Sequence, residues 1–157
     1  MENVVRKEKI LQSLVQRAHP LNPEVERHAL SLGDLCGLGK VGIHFTLVKP
    51  GKSTTELHTH KNCDEFMFIL SGEGTLTLDQ EAVAVSEGDF IGLPARGPAH
   101  LLTNTGDRDL VYLVGGDRPD YDVCLYPRLG KRLYLYKDGP KRQLDTIDDT
   151  NVAGRTV

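Results

Sequence analysis

The stretch Gly51-Lys52-Ser53-Thr54-Thr55-Glu56-Leu57-His58-Thr59-His60-Lys61-Asn62-Cys63-Asp64-Glu65-Phe66-Met67-Phe68-Ile69-Leu70-Ser71-Gly72 decides how the chain is read. Its second half, Glu65 to Ser71, is a short apolar run closed by Ser71-Gly72, which predicts a β-strand ending in a turn. In its first half His58 and His60 stand two residues apart, and on an extended strand such a pair shares one face. Glu65 follows five residues after His60, and His100 comes forty residues after it, in Pro94-Ala95-Arg96-Gly97-Pro98-Ala99-His100. Imidazoles and a carboxylate converging from separate strands can hold a divalent transition metal, with each donor atom about 2 Å from the ion. The register leaves one ambiguity. A strand running straight on from His60 would bring Asp64 to the histidine face, whereas a break at the turn-like Lys61-Asn62 resets the parity in favour of Glu65. With Glu65 inward, Met67 and Ile69 face the cavity and Phe66, Phe68 and Leu70 face out; with Asp64 inward the two sets exchange.

Outward from this stretch, the period of the chain is two from Arg27 onward. Short strands are predicted near Ala29–Leu35, Val41–Val48, Glu65–Ser71, Gly74–Leu78, Ala82–Val85, Asp89–Leu93, His100–Thr105 and Leu110–Val114, separated by turns at Gly37-Leu38-Gly39, Pro50-Gly51, Ser71-Gly72, Asp79-Gln80 and Asn104-Thr105-Gly106. Eight or so short strands at even spacing make an all-β jelly roll or sandwich. A short amphipathic helix is expected over the first eighteen residues, with Val5, Ile10, Leu11, Leu14, Val15 and Ala18 on one face and His19-Pro20 as its stop. Pro119 to Gly130 reads as a loop-rich return, Lys131–Tyr136 as a last strand, and the polar chain after Gly139-Pro140 as loose. The expected organisation is a helix and linker over 1–26, a barrel over 27–136 and a polar tail over 137–157.

Composition restricts the class of function. A chain of 157 residues can build one core without disulfides, and its sixteen glycines and eight prolines favour turn-rich β structure over a helical bundle. A net charge of -3 without a basic stripe speaks against nucleic acid as a partner. No apolar run approaches the ~20 residues of a membrane-spanning helix, and Met1 to Lys9 is charged rather than signal-like. Three scattered cysteines, Cys36, Cys63 and Cys124, fit reduced thiols and a cytoplasmic location.

Two segments resemble the signature motifs of the cupin superfamily of small double-stranded β-helix barrels. Gly51, His58, His60, Glu65 and Gly72 fall on the first motif, whose spacer after the first glycine is here one residue longer than usual. Gly88, Pro94, Gly97, His100 and Asn104 fall on the second, with Arg96 as one extra residue between proline and glycine. The flanking Leu32-Gly33-Asp34-Leu35 and Tyr112-Leu113-Val114-Gly115-Gly116-Asp117-Arg118-Pro119 are similar to an uncharacterised bacterial branch of single-domain cupins. The resemblance implies a jelly-roll barrel in which Glu65 is the carboxylate ligand and His100 the histidine from the opposite strand. Both insertions fall in turns, so they alter the cavity rim at Arg96 rather than the ligands.

The expected cofactor is therefore one divalent transition metal ion, drawn from Fe, Mn, Ni, Co, Cu and Zn, on His58, His60, Glu65 and His100. Four protein donors on a six-coordinate ion leave two positions for water, dioxygen or substrate, which suits catalysis better than a closed structural site. His44, Met67, Arg96, Leu102 and Tyr112 are candidate pocket residues around a small-molecule substrate. Cys63 reads as a small turn residue, with a redox thiol or an extra ligand as the alternative. Glu56 reads as a surface carboxylate or as support for a histidine ring, and the Tyr134 and Tyr136 pair as an edge or dimer surface. The expected function is that of a metal-dependent enzyme, either dioxygenase-like or isomerase/lyase-like, with a non-catalytic sensing or binding barrel as the alternative. Apolar outward strands predict a homodimer.

Overall fold

A computed structural model describes residues 2–138 and 141–148. In chain order the elements are α1 (Lys7–Gln12), β1 (Val15–His19), β2 (Asn22–Ser31), α2 (Leu32–Leu35), β3 (Val41–Val48), β4 (Thr59–His60), β5 (Glu65–Ser71), β6 (Glu73–Leu78), β7 (Glu81–Ser86), β8 (Phe90–Leu93), β9 (His100–Thr103), β10 (Leu110–Asp117), β11 (Tyr121–Tyr126), β12 (Lys131–Asp138) and β13 (Lys141–Asp148). They form a six-stranded sheet in the order β1-β2-β3-β10-β5-β8, a four-stranded sheet β13-β12-β11-β4 and a three-stranded sheet β7-β6-β9. Every strand pair is antiparallel. The all-β jelly roll expected from the turn spacing is the observed architecture.

Period-two alternation places the core. Val48, Met67, Ile69, Ile91, Leu93, Leu110 and Tyr112 from the six-stranded sheet pack against Leu76, Val85 and Leu102 from the three-stranded sheet, all buried. Across β3, β10 and β5 the inward positions stack in layers fixed by the register. Val48 lies opposite Leu110; Thr46 opposite Tyr112, which faces Ile69; His44 opposite Val114, which faces Met67; Gly42 opposite Gly116, which faces Glu65. The layers thus run from aliphatic at one end to polar at the other. The aliphatic end seals the barrel, and the polar end opens a cavity of about 860 Å³.

The N-terminal helix is shorter than its apolar pattern suggested. It stops at Gln12, buries nothing and has no side-chain N-cap. Val15–His19, expected to continue it, instead pairs with β2, Val15 opposite Ala29 and Ala18 opposite Glu26. A six-residue helix is marginal by itself, and the turn before Asn22 lets the same residues recover their backbone hydrogen bonds on a sheet edge. The strand expected through Leu35 ends at Ser31, whose hydroxyl accepts from the Asp34 N–H at 3.3 Å and caps α2. Two further corrections concern the C-terminal part. The return expected as loop contains β11, and the tail expected to be loose carries β13, paired with β12 along its whole length. β13 is a polar edge strand and lacks the apolar alternation that announces a strand. Residues 149–157 lie outside the described residues.

Two glycines set the two ends of β5. Gly72 takes φ +87 between β5 and β6, and a Cβ there would fall 2.6 Å from the Asp109 carbonyl oxygen. At Gly116 a Cβ would stand 2.4 Å from the Asp64 carbonyl oxygen and 3.3 Å from Cγ of Glu65, so a bare backbone is what lets the start of β5 lie flat on β10.

Candidate metal centre

His58 and His60 leave the chain beside the short β4, where His58 bridges to His100 at the start of β9 through paired backbone hydrogen bonds of 3.1 and 2.8 Å. Thr59 and His60 pair with Leu125 and Cys124 of β11. Glu65 opens β5 from the other sheet. The parity question resolves as Glu65 inward: Met67 and Ile69 are buried, while Phe68 faces solvent. The break at Lys61–Asp64 is fixed by Asp64 itself, whose carboxylate accepts from the Ala95 N–H at 2.7 Å and whose own N–H donates to Asp117 at 2.7 Å. Asp64 thus ties the rim together and stays out of the cluster.

The Nε2 atoms of all three histidines turn toward one carboxylate oxygen, Oε2 of Glu65, at 3.9 Å from His58, 3.4 Å from His60 and 3.2 Å from His100. Each Nδ1 is occupied on the far side of its ring. His58 Nδ1 donates to the Glu56 carbonyl oxygen at 2.9 Å, His60 Nδ1 to the Asp122 carboxylate at 2.5 Å, and His100 Nδ1 faces the Pro98 carbonyl oxygen at 3.4 Å. A carbonyl or carboxylate oxygen can only accept, so a ring proton sits on Nδ1 and Nε2 is the atom aimed into the cluster, where a metal would take the place of any proton it carries. Three imidazole lone pairs and a carboxylate meeting in a buried pocket are the donor set a divalent transition metal needs. The residues present fit such an ion.

The electrostatics follow from the packing. Burial, together with the neighbouring His100, drives the His58 imidazole down to about 3. His60 is also buried, but its bonds to Asp122, Cys124 and Glu65 outweigh burial and raise it far above the ordinary histidine range. Burial alone would raise Glu65; the histidine bonds reverse this and hold it well below the usual carboxylate range. Tyr126 stacks on the His58 ring at 5.6 Å between centroids and 21°, fixing its plane.

Cys63 is buried and donates from Sγ to the Asp117 carbonyl oxygen at 3.1 Å, and burial lifts its thiol to about 12. His60, Cys63 and Asp122 do converge. A protonated thiol and a carboxylate already bonded to His60 Nδ1 make this trio the support of the main cluster. The Glu56 side chain takes a bond from Asn22 at 2.5 Å, and its carbonyl rather than its carboxylate steadies His58.

Of the expected pocket residues, His44, Met67 and Tyr112 line the cavity and two do not. Leu102 is fully buried in the aliphatic core, because the face of β9 that carries it packs on Leu76 rather than on the cavity. Arg96 is exposed, with φ +62, its N–H on the His60 carbonyl oxygen at 2.7 Å and its Nε on the Lys61 carbonyl oxygen at 3.3 Å. It clamps the turn behind the cluster and lies outside the cavity wall. Residues not anticipated from the sequence also line the cavity, among them Arg27, Asp34, Thr46, Thr54, Arg118 and Asp122. Asp122 had a signal: Asp122, Cys124 and Tyr126 alternate as the buried face of β11. Pro119 and Pro127 masked that strand.

The cupin domain family model matches residues 44–116. The fold is similar to that of a proposed sugar phosphate isomerase from Acidithiobacillus ferrooxidans, with 37% identity and a TM-score of 0.85 over 98% of this chain and 96% of that one. It is similar as well to a sugar phosphate isomerase of the cupin superfamily from Silicibacter pomeroyi, with 25% identity and a TM-score of 0.79 over 90% and 92% of the two chains. An uncharacterised protein from Methanocaldococcus jannaschii is 39% identical over 51% of this chain and 56% of its own length. The chain spans about half the length of the curated relatives it matches.

Proposed function

Because this chain belongs to the cupin superfamily, we propose that His58, His60, Glu65 and His100 hold one divalent transition metal ion and that the protein is a metal-dependent isomerase of a phosphorylated sugar. The observation that carries the metal reading is the convergence of three Nε2 atoms on one Glu65 oxygen, with His58, His60 and Glu65 lining the cavity and His100 buried behind them. Of the two chemistries left open by the sequence, isomerisation is favoured over dioxygenation by the likeness to the two sugar phosphate isomerases, the first of them along almost the whole chain. The polar lining supports the same choice, since Arg27, Arg118 and Lys137 suit an anionic substrate better than an apolar one.

A metal bound at this cluster would act as a Lewis acid toward a substrate oxygen. The chain's own residues would do the rest. Moving a carbonyl along a sugar transfers one proton between adjacent carbons and one between their oxygens, and it needs a group that accepts and returns the carbon-bound proton. His44 faces the cavity and is lowered by burial and by the Arg118 and Arg27 charges, against the opposing pull of Asp34 and Glu65. It is therefore neutral near pH 7 and able to accept that proton. The aliphatic layers beneath Tyr112 close the barrel against water from the far side.

The test is elemental analysis of untagged protein beside His58→Ala, followed by a screen of phosphorylated aldoses and ketoses for interconversion. One equivalent of a single metal, lost in the variant, with turnover of a sugar phosphate and no dioxygen consumption, is the expected result. Stoichiometric binding without turnover would make the barrel a binding module, and oxygen uptake would return it to the dioxygenases. We propose a homodimer on the apolar outer face of β8 and β5, where Phe90 is 67% exposed and stacks on Phe66.

A further inference from the structure

Three cations line the cavity, and two are already paired. Arg118 Nη1 binds Asp34 at 2.6 Å, and Lys137 Nζ binds Asp120 at 2.5 Å. Arg27 has no carboxylate partner among the described residues. Its Nη1 donates to the Thr54 backbone carbonyl oxygen at 2.6 Å, which holds the guanidinium beside that residue. Thr54 is 2% exposed and Thr46 is fully buried, yet neither hydroxyl has a hydrogen-bond partner among the described residues. Both threonines line the cavity. Thr46 sits opposite Tyr112 on β10 and opposite Ala29 on β2, and Arg27 is two residues from Ala29 on the same face. The Tyr112 phenol faces both threonine hydroxyls. Burial lifts it to about 12 against the opposing effects of Arg27 and the two hydroxyls, so it keeps its proton and can donate.

An unpartnered buried hydroxyl is costly, and two of them beside an unpaired guanidinium are a stored demand for an acceptor. All four groups donate, and none is a carboxylate. We infer that Arg27, Thr46, Thr54 and Tyr112 form an oxyanion subsite where the cavity abuts the aliphatic core, and that it takes the phosphate group of the substrate. The inference rests on the reading of the cavity as a sugar phosphate site and says which residues would confer the preference for phosphate. The subsite lies two layers from Glu65 along β5 and β10, four residues or about 13 Å of strand. That span suits an extended molecule with its reacting end at the histidines and its phosphate at the threonines.

The test uses metal-loaded protein with inorganic phosphate, glucose 6-phosphate and glucose as probes, read by equilibrium dialysis and by metal content. Thr46→Val and Thr54→Val keep the side-chain shape and remove the hydroxyl. Each is expected to weaken phosphate and glucose 6-phosphate binding about tenfold or more, the loss of a hydrogen bond to a charged group. Glucose is expected to bind weakly to wild type and variants alike, Arg96→Gln outside the cavity to bind as wild type, and metal content to stay at one equivalent. No phosphate binding by wild-type protein, or unchanged binding in the Thr46→Val, Thr54→Val double variant, overturns the subsite. So does glucose binding as tightly as glucose 6-phosphate. Phosphate binding that depends on the threonines in protein that holds no metal would sink the isomerase reading and leave the subsite standing.

Discussion

Replacing Asp122 by asparagine isolates the contribution of one proton position to metal affinity. Asp122 is 1% exposed, accepts from His60 Nδ1 at 2.5 Å and accepts from the Asn62 N–H at 2.9 Å. As a carboxylate it can only accept, so it holds a His60 proton on Nδ1 and leaves Nε2 as the atom that would meet a metal. Asparagine has the same shape and can still accept from Asn62 through its oxygen. It then presents its NH₂ to His60, forcing Nδ1 to accept and Nε2 to carry the proton that blocks coordination. Loss of such a partner costs about 10–100-fold in metal affinity, roughly 1.4–2.7 kcal/mol. The assay is a competition titration of Mn(II), Fe(II) and Zn(II) against a chromophoric chelator, with Asp120→Asn as the exposed control. Asp122→Ala should do more, because it also strands a buried imidazole and a backbone N–H, at about 3–5 kcal/mol of stability. Metal binding by Asp122→Asn within about threefold of wild type, under half a decade where one to two decades are expected, would refute the tautomer reasoning.

Protein stripped of metal should be most stable near pH about 6.5, the ordinary histidine value. His60 is raised, so its contribution is complete below that pH and is lost as pH rises toward its folded value; His58, at about 3, costs stability as pH falls from the same point, and the lowered Glu65 and Asp122 add to the loss in acid. Denaturant midpoints that climb steadily to pH 9 would contradict this. Gly116→Ala should cost about 1–3 kcal/mol and weaken metal binding, since its Cβ meets the Asp64 carbonyl at 2.4 Å and displaces Glu65; unchanged thermal unfolding would count against it. Leu102→Ala should cost about 2–5 kcal/mol, a fall of about 2–4 °C per kcal/mol, with metal content unaltered because the residue lies in the aliphatic core and not in the cavity. Sedimentation should give a dimer that Phe90→Lys dissociates; a wild-type monomer would remove the proposed interface.

The sequence was most legible where one face of a strand is apolar and the other is not. The bounds of β3 and β5 agree with the expected Val41–Val48 and Glu65–Ser71 to the residue, because period-two burial and flanking turns coincide there. The three histidines that the structure brings together were legible through the motif spacing and its glycines, and Glu65 only through the cupin resemblance. The parity of Asp64 and Glu65 was not, because it depends on how Asp64 bonds to Ala95 and Asp117, contacts far away in sequence. The N-terminal segment failed for a related reason: Val15 to Ala18 satisfies a helical period and a hairpin equally, and the pairing with β2 decides. Arg27, Thr46 and Thr54 carried no signal, since an arginine and two threonines are ordinary strand residues until a register brings them together.

The layered interior also limits how such a barrel can change what it accepts. The distance between the histidine cluster and the Thr46–Tyr112 layer is counted in pairs of residues, because only alternate positions face inward. Lengthening the backbone shifts it in steps of about 7 Å or turns the next residue outward. Fine adjustment of substrate length is left to the girth of the side chains between the two ends, His44, Val114 and Met67. A barrel of this kind therefore behaves as a gauge with coarse fixed graduations, and a longer or shorter substrate would be accommodated at those three positions before any strand is rebuilt.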